Sequence, residues 1–358
     1  MSDSSTAVLV TGGTGYAASH LLLHLLTAGY TVRTTVRSLS REASLREALR
    51  KGGASDAALA RLTFFAVDLL KDDGWADAAR GCTFVHHVAS PFPSAPPKTD
   101  DELVIPAREG TLRVLRAARE AGTVRRVVIT GSFAAIGYGH AKTRAEPFTE
   151  DDWSILDNPA VPVLAYPKSK TLAERAAWDF ATTEPGCPEV VVLNPVGIFG
   201  PVLTDQVGTS IQIFTAFLGG DFFMAPKLRL GVVDVRDLAD LHVRAMLSPD
   251  AAGQRFLAAA DGEWLTALQW ADIIKKHLLS TGKPATAKKL PSHEAPNFVL
   301  KVIGLLDKRV RSLVMELGVV KKTSNDKAKT LLGWKPRPIQ QTLTDTVDSL
   351  YEHGVVEK

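Results

Sequence analysis

Short apolar runs recur along the first two thirds of the chain, separated by longer stretches whose apolar positions follow a helical spacing. The short runs predict strands over residues 7–11, 31–36, 62–67, 83–88, 126–130 and 190–194. The longer stretches predict helices over 16–28, 103–121 and 166–181. This alternation predicts an α/β fold with a Rossmann-type doubly wound parallel sheet, in which ligands sit beyond the carboxyl ends of the strands. Past Gly200 the pattern loosens, and residues 201–228 are rich in Gly and Phe without clear periodicity. Residues 231–246 predict an extended lead-in and a helix, with Asp234 as its N-cap and Asp237 in its first turn. A further strand is expected at 256–259, and from about residue 263 the chain reads as mostly helical. The expected division is a dinucleotide-binding domain over 1–200, rejoined by 229–262, and a smaller substrate lobe from 201–228 and 263–358. Within that lobe, 298–317 is apolar but interrupted by Lys301, Asp307, Lys308, Arg309 and Arg311, which predicts a core or pocket-lining helix.

Composition adds limits to this picture. With 358 residues, 45% hydrophobic and 23% charged, the chain can bury a sizeable core. A formal net charge of +3 is too small to argue for nucleic acid or an acidic membrane surface. Cys82 and Cys187 form no C-x-x-C pair, and they suggest no disulfide framework. No apolar run reaches transmembrane length, and MSDSST lacks the regions of a signal peptide. A cytoplasmic enzyme fits these limits, as would many other proteins; the expectation is a monomer or homodimer with no membrane or nucleic-acid partner.

Candidate chemistry begins at AVLVTGGTGYAASH, residues 7–20. Strand, glycine turn and helix make a phosphate cradle, because a helix N-terminus offers unpaired N–H groups and the positive end of a dipole. Gly12 permits the turn, Gly15 permits close approach of a pyrophosphate, and Ala18 lets the helix lie close on the strand. Thr14 and Tyr16 complete the expected cofactor contacts of this turn. At the end of the second strand, TTVRS places Arg37 where an NAD site carries an acid, and a guanidinium there suits the 2′-phosphate of NADPH/NADP+. Arg33, earlier in the strand, is the competing residue. Asp68 and Leu69 follow the third strand; Asp68 reads equally as an adenine contact or a loop cap. Val88, Ala89 and Ser90 end the fourth strand and are expected beneath the cofactor. His86 and His87 alternate in facing and have no further ligand at metal spacing, so the expectation is buried histidines and no metal.

A second cluster, AYPKSKTLAERAAWDFA, sets Tyr166 and Lys170 on one helix face. Such a pair is common by chance and gains weight from Ser132, just past the fifth strand. In a reduction Tyr166 would give its proton to a carbonyl oxygen, Ser132 would position that oxygen, and Lys170 would hold the nicotinamide ribose. A cation near the phenol, with the oxidised nicotinamide beside it, would favour the phenolate.

The order of VTGGTGYAAS, TTVRS, FAVDLL, VHHVASP, RVVITGS, YPKSKTLAE, NPVGIFGP, VDVRDLA and LLGWKPRP resembles the extended short-chain dehydrogenase/reductase family over nearly the whole chain. Within it, the sequence is most similar to dihydroflavonol 4-reductase-like ketone and aldehyde reductases. The resemblance implies Ser132, Tyr166 and Lys170 as the catalytic set, Pro195 and Val196 against the nicotinamide, and NADPH in a cleft between sheet domain and lobe. It implies a small-molecule carbonyl substrate. Two positions depart from the pattern. Many relatives carry Ser where this chain has Gly131. Plant dihydroflavonol reductases carry a ring-contacting Asn at a place that falls here on Gly137, which argues against a flavonoid. Phe92, Phe133, Phe199 and Ser210 are the candidate substrate contacts, with Phe214, Phe222, Phe223 and Met224 as further candidate walls. Hydroxysteroid dehydrogenase and dihydroflavonol reductase activity are the near alternatives. A sugar-nucleotide epimerase with bound NAD and a non-catalytic NADP sensor are the distant ones.

Overall fold

The computed structural model describes residues 6–90, 97–141, 144–205, 207–208, 210–298, 300, 314 and 316–357. The predicted strands form, with ends shifted by a residue or two: β1 (Ala7–Val10), β2 (Thr31–Val36), β3 (Leu62–Ala66), β4 (Phe84–His87), β5 (Arg126–Thr130) and β6 (Glu189–Pro195). Two short pairs lie outside the main sheet: β7 (Gly197–Phe199) beside β9 (Val232–Asp234), and β8 (Arg229–Leu230) beside β11 (Leu265–Thr266). The strand expected near 256 is β10 (Arg255–Ala258). The seven-stranded sheet runs β10-β6-β5-β4-β1-β2-β3, with every pairing parallel. The chain order reverses between β1 and β4, which puts the ligand crevice at their carboxyl ends.

Helices cover both faces: α1 (Tyr16–Thr27), α2 (Glu42–Lys51), α3 (Asp56–Leu59), α4 (Trp75–Ala79), α5 (Asp101–Glu120) and α6 (Ala165–Thr183). Period-two alternation sorts the strands between them. Val8, Val10, Val128 and Leu193 face one core with Leu22 and Leu25 of α1, while Leu9, Val127 and Val192 face another with Val114, Leu115 and Ala177 of α5 and α6. No helix among the described residues is long and apolar enough to cross a membrane.

Beyond Gly200 the structure holds a helix that the pattern did not announce, α7 (Gln212–Gly219), closed by Gly220 in the left-handed region. Its sequence QIFTAFLG is nearly all apolar, so it lacks the contrast from which periodicity is read. Phe214, Phe217 and Leu218 bury against Trp270 and Ile274 of α9 (Ala267–Ser280), with Leu343 and Leu350 of the last helix, Ile339–Glu352. The helix Asp326–Leu332 and Trp334 pack instead on the first sheet core, so the tail contributes to that core as well as to the one around α7 and α9. Most of the helix expected at 298–317 lies outside the described residues.

Asp234 caps α8 (Val235–Leu247) as expected, accepting from the Arg236 N–H at 2.9 Å. It does more than cap. Its buried carboxylate also pairs with Arg236 and with Arg337, which fastens the C-terminal segment to the sheet. The histidines likewise find partners within the interior. His86 Nδ1 lies 3.2 Å from His242 Nδ1, and His242 Nε2 lies 3.0 Å from Thr130 Oγ1. Thr11 Oγ1 accepts from the Val88 and Ala89 N–H groups, so its hydroxyl proton goes to His87 Nδ1 at 3.0 Å, and His87 Nε2 then faces Thr111 Oγ1 at 3.4 Å. Among the described residues no group of three His, Cys, Asp or Glu side chains is placed to hold a metal.

Burial holds these imidazoles neutral: His20 is pushed down to about 4, and His87 and His242 to about 3. The unfolded chain therefore binds more protons below pH 6.5, and stability falls as the pH drops through that value. Each of the three costs about 1.4 kcal/mol per pH unit once well below it. Urea midpoints measured from pH 7.5 down to 5.5 are expected to fall steeply below 6.5; a flat profile would contradict this placement.

Candidate active site

The glycine turn is shaped by its neighbours. Gly12 has φ +72°, and a Cβ there would come within 2.9 Å of Ala89 Cβ, so the turn packs directly against the segment just past β4. The Gly12 N–H donates to Thr35 Oγ1 at 2.9 Å and the Gly13 N–H to the Thr35 carbonyl at 3.0 Å, which pins the turn to β2. No side chain caps α1, and its first turn holds no acid. Its N–H groups are thus left for an anion. An open groove of about 500 Å³ runs from this point. Gly12, Thr14, Gly15, Arg37, Asp68, Leu69, Val88, Ala89 and Ser90 all line it. Its volume, the uncapped helix end and the exposed Arg37 fit a phosphorylated dinucleotide. The side chain of Arg33 turns to the carbonyls that end α4 and packs over Phe65, which leaves Arg37 as the guanidinium of the groove. Asp68 serves its loop, accepting from the Leu70 N–H at 2.9 Å, and lines the groove as well. Trp75, Glu102 and Pro106 join the lining without any signal in the sequence pattern.

Tyr16 is placed differently from expectation. Its hydroxyl donates to the Gly200 carbonyl at 2.8 Å, and its ring packs edge-on against His20, so the side chain braces the 200–201 loop rather than the groove. Pro195 and Val196 are buried at the carboxyl end of β6, beside the end of β5.

Ser132, Tyr166 and Lys170 come together. Ser132 follows β5, accepts from the Ala134 N–H at 3.1 Å, and its hydroxyl is hydrogen-bonded to that of Tyr166. Lys170 Nζ donates to Ser90 Oγ at 2.8 Å and lies 5.8 Å from the centre of the Tyr166 ring. Burial raises the Tyr166 phenol above its ordinary value, opposed by the Ser132 hydrogen bond. Burial outweighs that hydrogen bond, so this phenol is protonated near neutral pH, the state a proton donor needs. Burial likewise lowers Lys170 to about 8, with Glu174 opposing.

The expected substrate contacts are not gathered in the same way. Phe133 is 3% exposed and packs edge-on against Phe148 and Trp264; Phe199 is 5% exposed and packs on Trp270. Both are interior residues, Phe133 of the first sheet core and Phe199 of the core built on α7 and α9. Phe214 is equally buried, Phe223 is 91% exposed, and Ser210 lies on the surface. Phe222 packs against Phe217, and Met224 is half-buried. Phe92 lies outside the described residues. The two departures from the family pattern have steric causes. A Cβ on Gly131 would meet Asn194 Nδ2 at 2.7 Å and Val192 Cγ1 at 2.8 Å, and one on Gly137 would overlap the Phe133 ring.

Comparison with known proteins agrees with this architecture. The model of the NAD dependent epimerase/dehydratase family matches residues 8–259. Dihydroflavonol 4-reductase of Zea mays is 33% identical over 262 residues, covering 71% of this chain and 70% of that protein. Cinnamoyl-CoA reductase 1 of Petunia hybrida is 34% identical over 355 residues, covering 99% and 94%. The crystal structure of yeast methylglyoxal/isovaleraldehyde reductase Gre2 complexed with NADPH superposes with a TM-score of 0.76 at 26% identity, covering 98% of this chain and 100% of that one. The chain belongs to the NAD dependent epimerase/dehydratase family, among its extended short-chain dehydrogenase/reductases.

Proposed function

We propose that the protein is an NADPH-dependent carbonyl reductase that converts a ketone or aldehyde to an alcohol. The observation that carries this reading is the convergence of Ser132, a protonated Tyr166 and Lys170, whose ammonium reaches Ser90 on the wall of a groove with a basic strand end. The relatives named as reductases, one of them solved with NADPH, support it. When bound, the cofactor supplies the hydride. The uncapped end of α1 receives its pyrophosphate, and Arg37 its 2′-phosphate. Lys170, held at the groove by Ser90, is set to hold the nicotinamide ribose. Ser132 and Tyr166 direct two hydroxyls at one carbonyl oxygen. Ser132 orients it, and Tyr166 delivers the proton as negative charge develops there. A basic rather than acidic end to β2 weighs against an NAD-retaining epimerase. The substrate lobe, the pocket walls and the product's stereochemistry belong to the same proposal, the alcohol being chiral when the ketone is unsymmetrical. The test is whether ketones or aldehydes drive consumption of NADPH, with NADH as the control.

A further inference from the structure

Behind the trio lies a buried acid. Glu174 follows Lys170 by four residues and Tyr166 by eight on α6, so the three share a helix face. Its side chain is 1% exposed. Three elements supply its partners. Arg255 of β10 donates Nε to Oε1 at 2.6 Å, and Trp178 of α6 donates to the same oxygen at 3.3 Å. Asn194 of β6 donates Nδ2 to Oε2 at 2.8 Å, and the same nitrogen reaches the Ser132 carbonyl at 3.1 Å. A cavity of about 20 Å³, large enough for one water, is lined by both Lys170 and Glu174. A purely structural clamp between α6 and β10 accounts for Arg255. It does not account for the Asn194 branch to Ser132, nor for the cavity shared with Lys170.

We propose that Glu174 is a positioning residue for the reduction: through Asn194 it fixes the backbone of Ser132, and as the buried carboxylate behind Lys170 it keeps that ammonium charged. The inference rests on the Ser132–Tyr166–Lys170 reading above. The other groups facing this pair are few. His87 comes from β4 and is held neutral by burial, Tyr166 from α6 is neutral, and Arg255 is spent on Glu174 itself. From α5 the cavity meets Pro106, Ala107, Gly110 and Thr111, all uncharged. Glu174 is therefore the one nearby charge, among the described residues, that opposes the lowering of Lys170 by burial.

The experiment measures NADPH dissociation constants against pH by fluorescence, beside kcat, for the wild type, Glu174→Gln and Asn194→Ala. Binding is expected to weaken above about pH 8 in the wild type as Lys170 loses its proton. In Glu174→Gln that limb is expected about one pH unit lower. In Asn194→Ala the limb is expected to stay in place while kcat falls about tenfold. An unmoved limb in Glu174→Gln overturns the charge role, and an unchanged kcat in Asn194→Ala overturns the Ser132 role. Asn194→Ala leaves both buried charges paired, so it tests the proposal even if Glu174→Gln fails to fold. Turnover retained in Tyr166→Phe would overturn the trio itself, and it is read separately from both Glu174 outcomes.

Discussion

Tyr166→Phe is expected to lower kcat by about three orders of magnitude or more, with NADPH affinity within about twofold of the wild type. The substitution removes one oxygen and keeps the ring that Lys170 faces at 5.8 Å. It also leaves Lys170 on Ser90 and Arg37 at the groove. What it loses is the protonated phenol beside Ser132, which burial maintains in the acid form. Positioned proton transfer contributes about 10²–10⁴ in rate, and the loss of the second hydroxyl from the developing oxyanion adds to it. Ser132 alone is a poor substitute, since an aliphatic hydroxyl is a far weaker acid than a phenol. Stopped-flow turnover together with fluorescence titration of NADPH checks both halves. A kcat within tenfold of the wild type would remove Tyr166 from the chemistry.

Arg37→Glu is expected to reverse cofactor preference. Each charge-assisted bond from the guanidinium to a 2′-phosphate is worth about 1.5–3 kcal/mol, or about 10–100-fold in affinity. The glutamate adds repulsion toward that phosphate and an acceptor for a ribose 2′-hydroxyl, so NADPH should weaken by at least about 100-fold while NADH improves. The effect should be confined to the cofactor, because Arg37 is exposed on the rim and its removal leaves the core untouched. Arg33 cannot replace it, being engaged with the end of α4. An unchanged ratio of NADPH to NADH affinity would contradict the assignment of this end of the groove.

The sheet was legible because its strands are short, apolar and separated by helical spacing, and the strong signals survive folding almost unchanged. Asp234 was readable as a cap for the same local reason. The α7 helix was not, since an apolar face shows only against a polar one. The site divides along the same line. The glycine turn, Arg37, Ser132, Tyr166 and Lys170 stand in local motifs with fixed spacing. The network behind them does not: Asn194 and Arg255 reach Glu174 from 20 and 81 residues away, and only the parallel pairing of β5, β6 and β10 aligns them. Glu174 carried a partial signal, at a spacing of four from Lys170. The aromatic candidates were harder to sort, because a Phe reads the same in sequence whether it lines a pocket or fills a core. Phe133 and Phe199 do the second.

The most direct test of carbonyl reduction is to supply NADPH carrying deuterium at the transferring position, with aromatic ketones, aldehydes and diketones in turn, and to analyse the products by mass spectrometry. The account predicts an alcohol bearing one deuterium on the former carbonyl carbon, formed in step with NADPH loss and far faster than with NADH. Tight NADPH binding with no labelled alcohol from any carbonyl in the panel would contradict it.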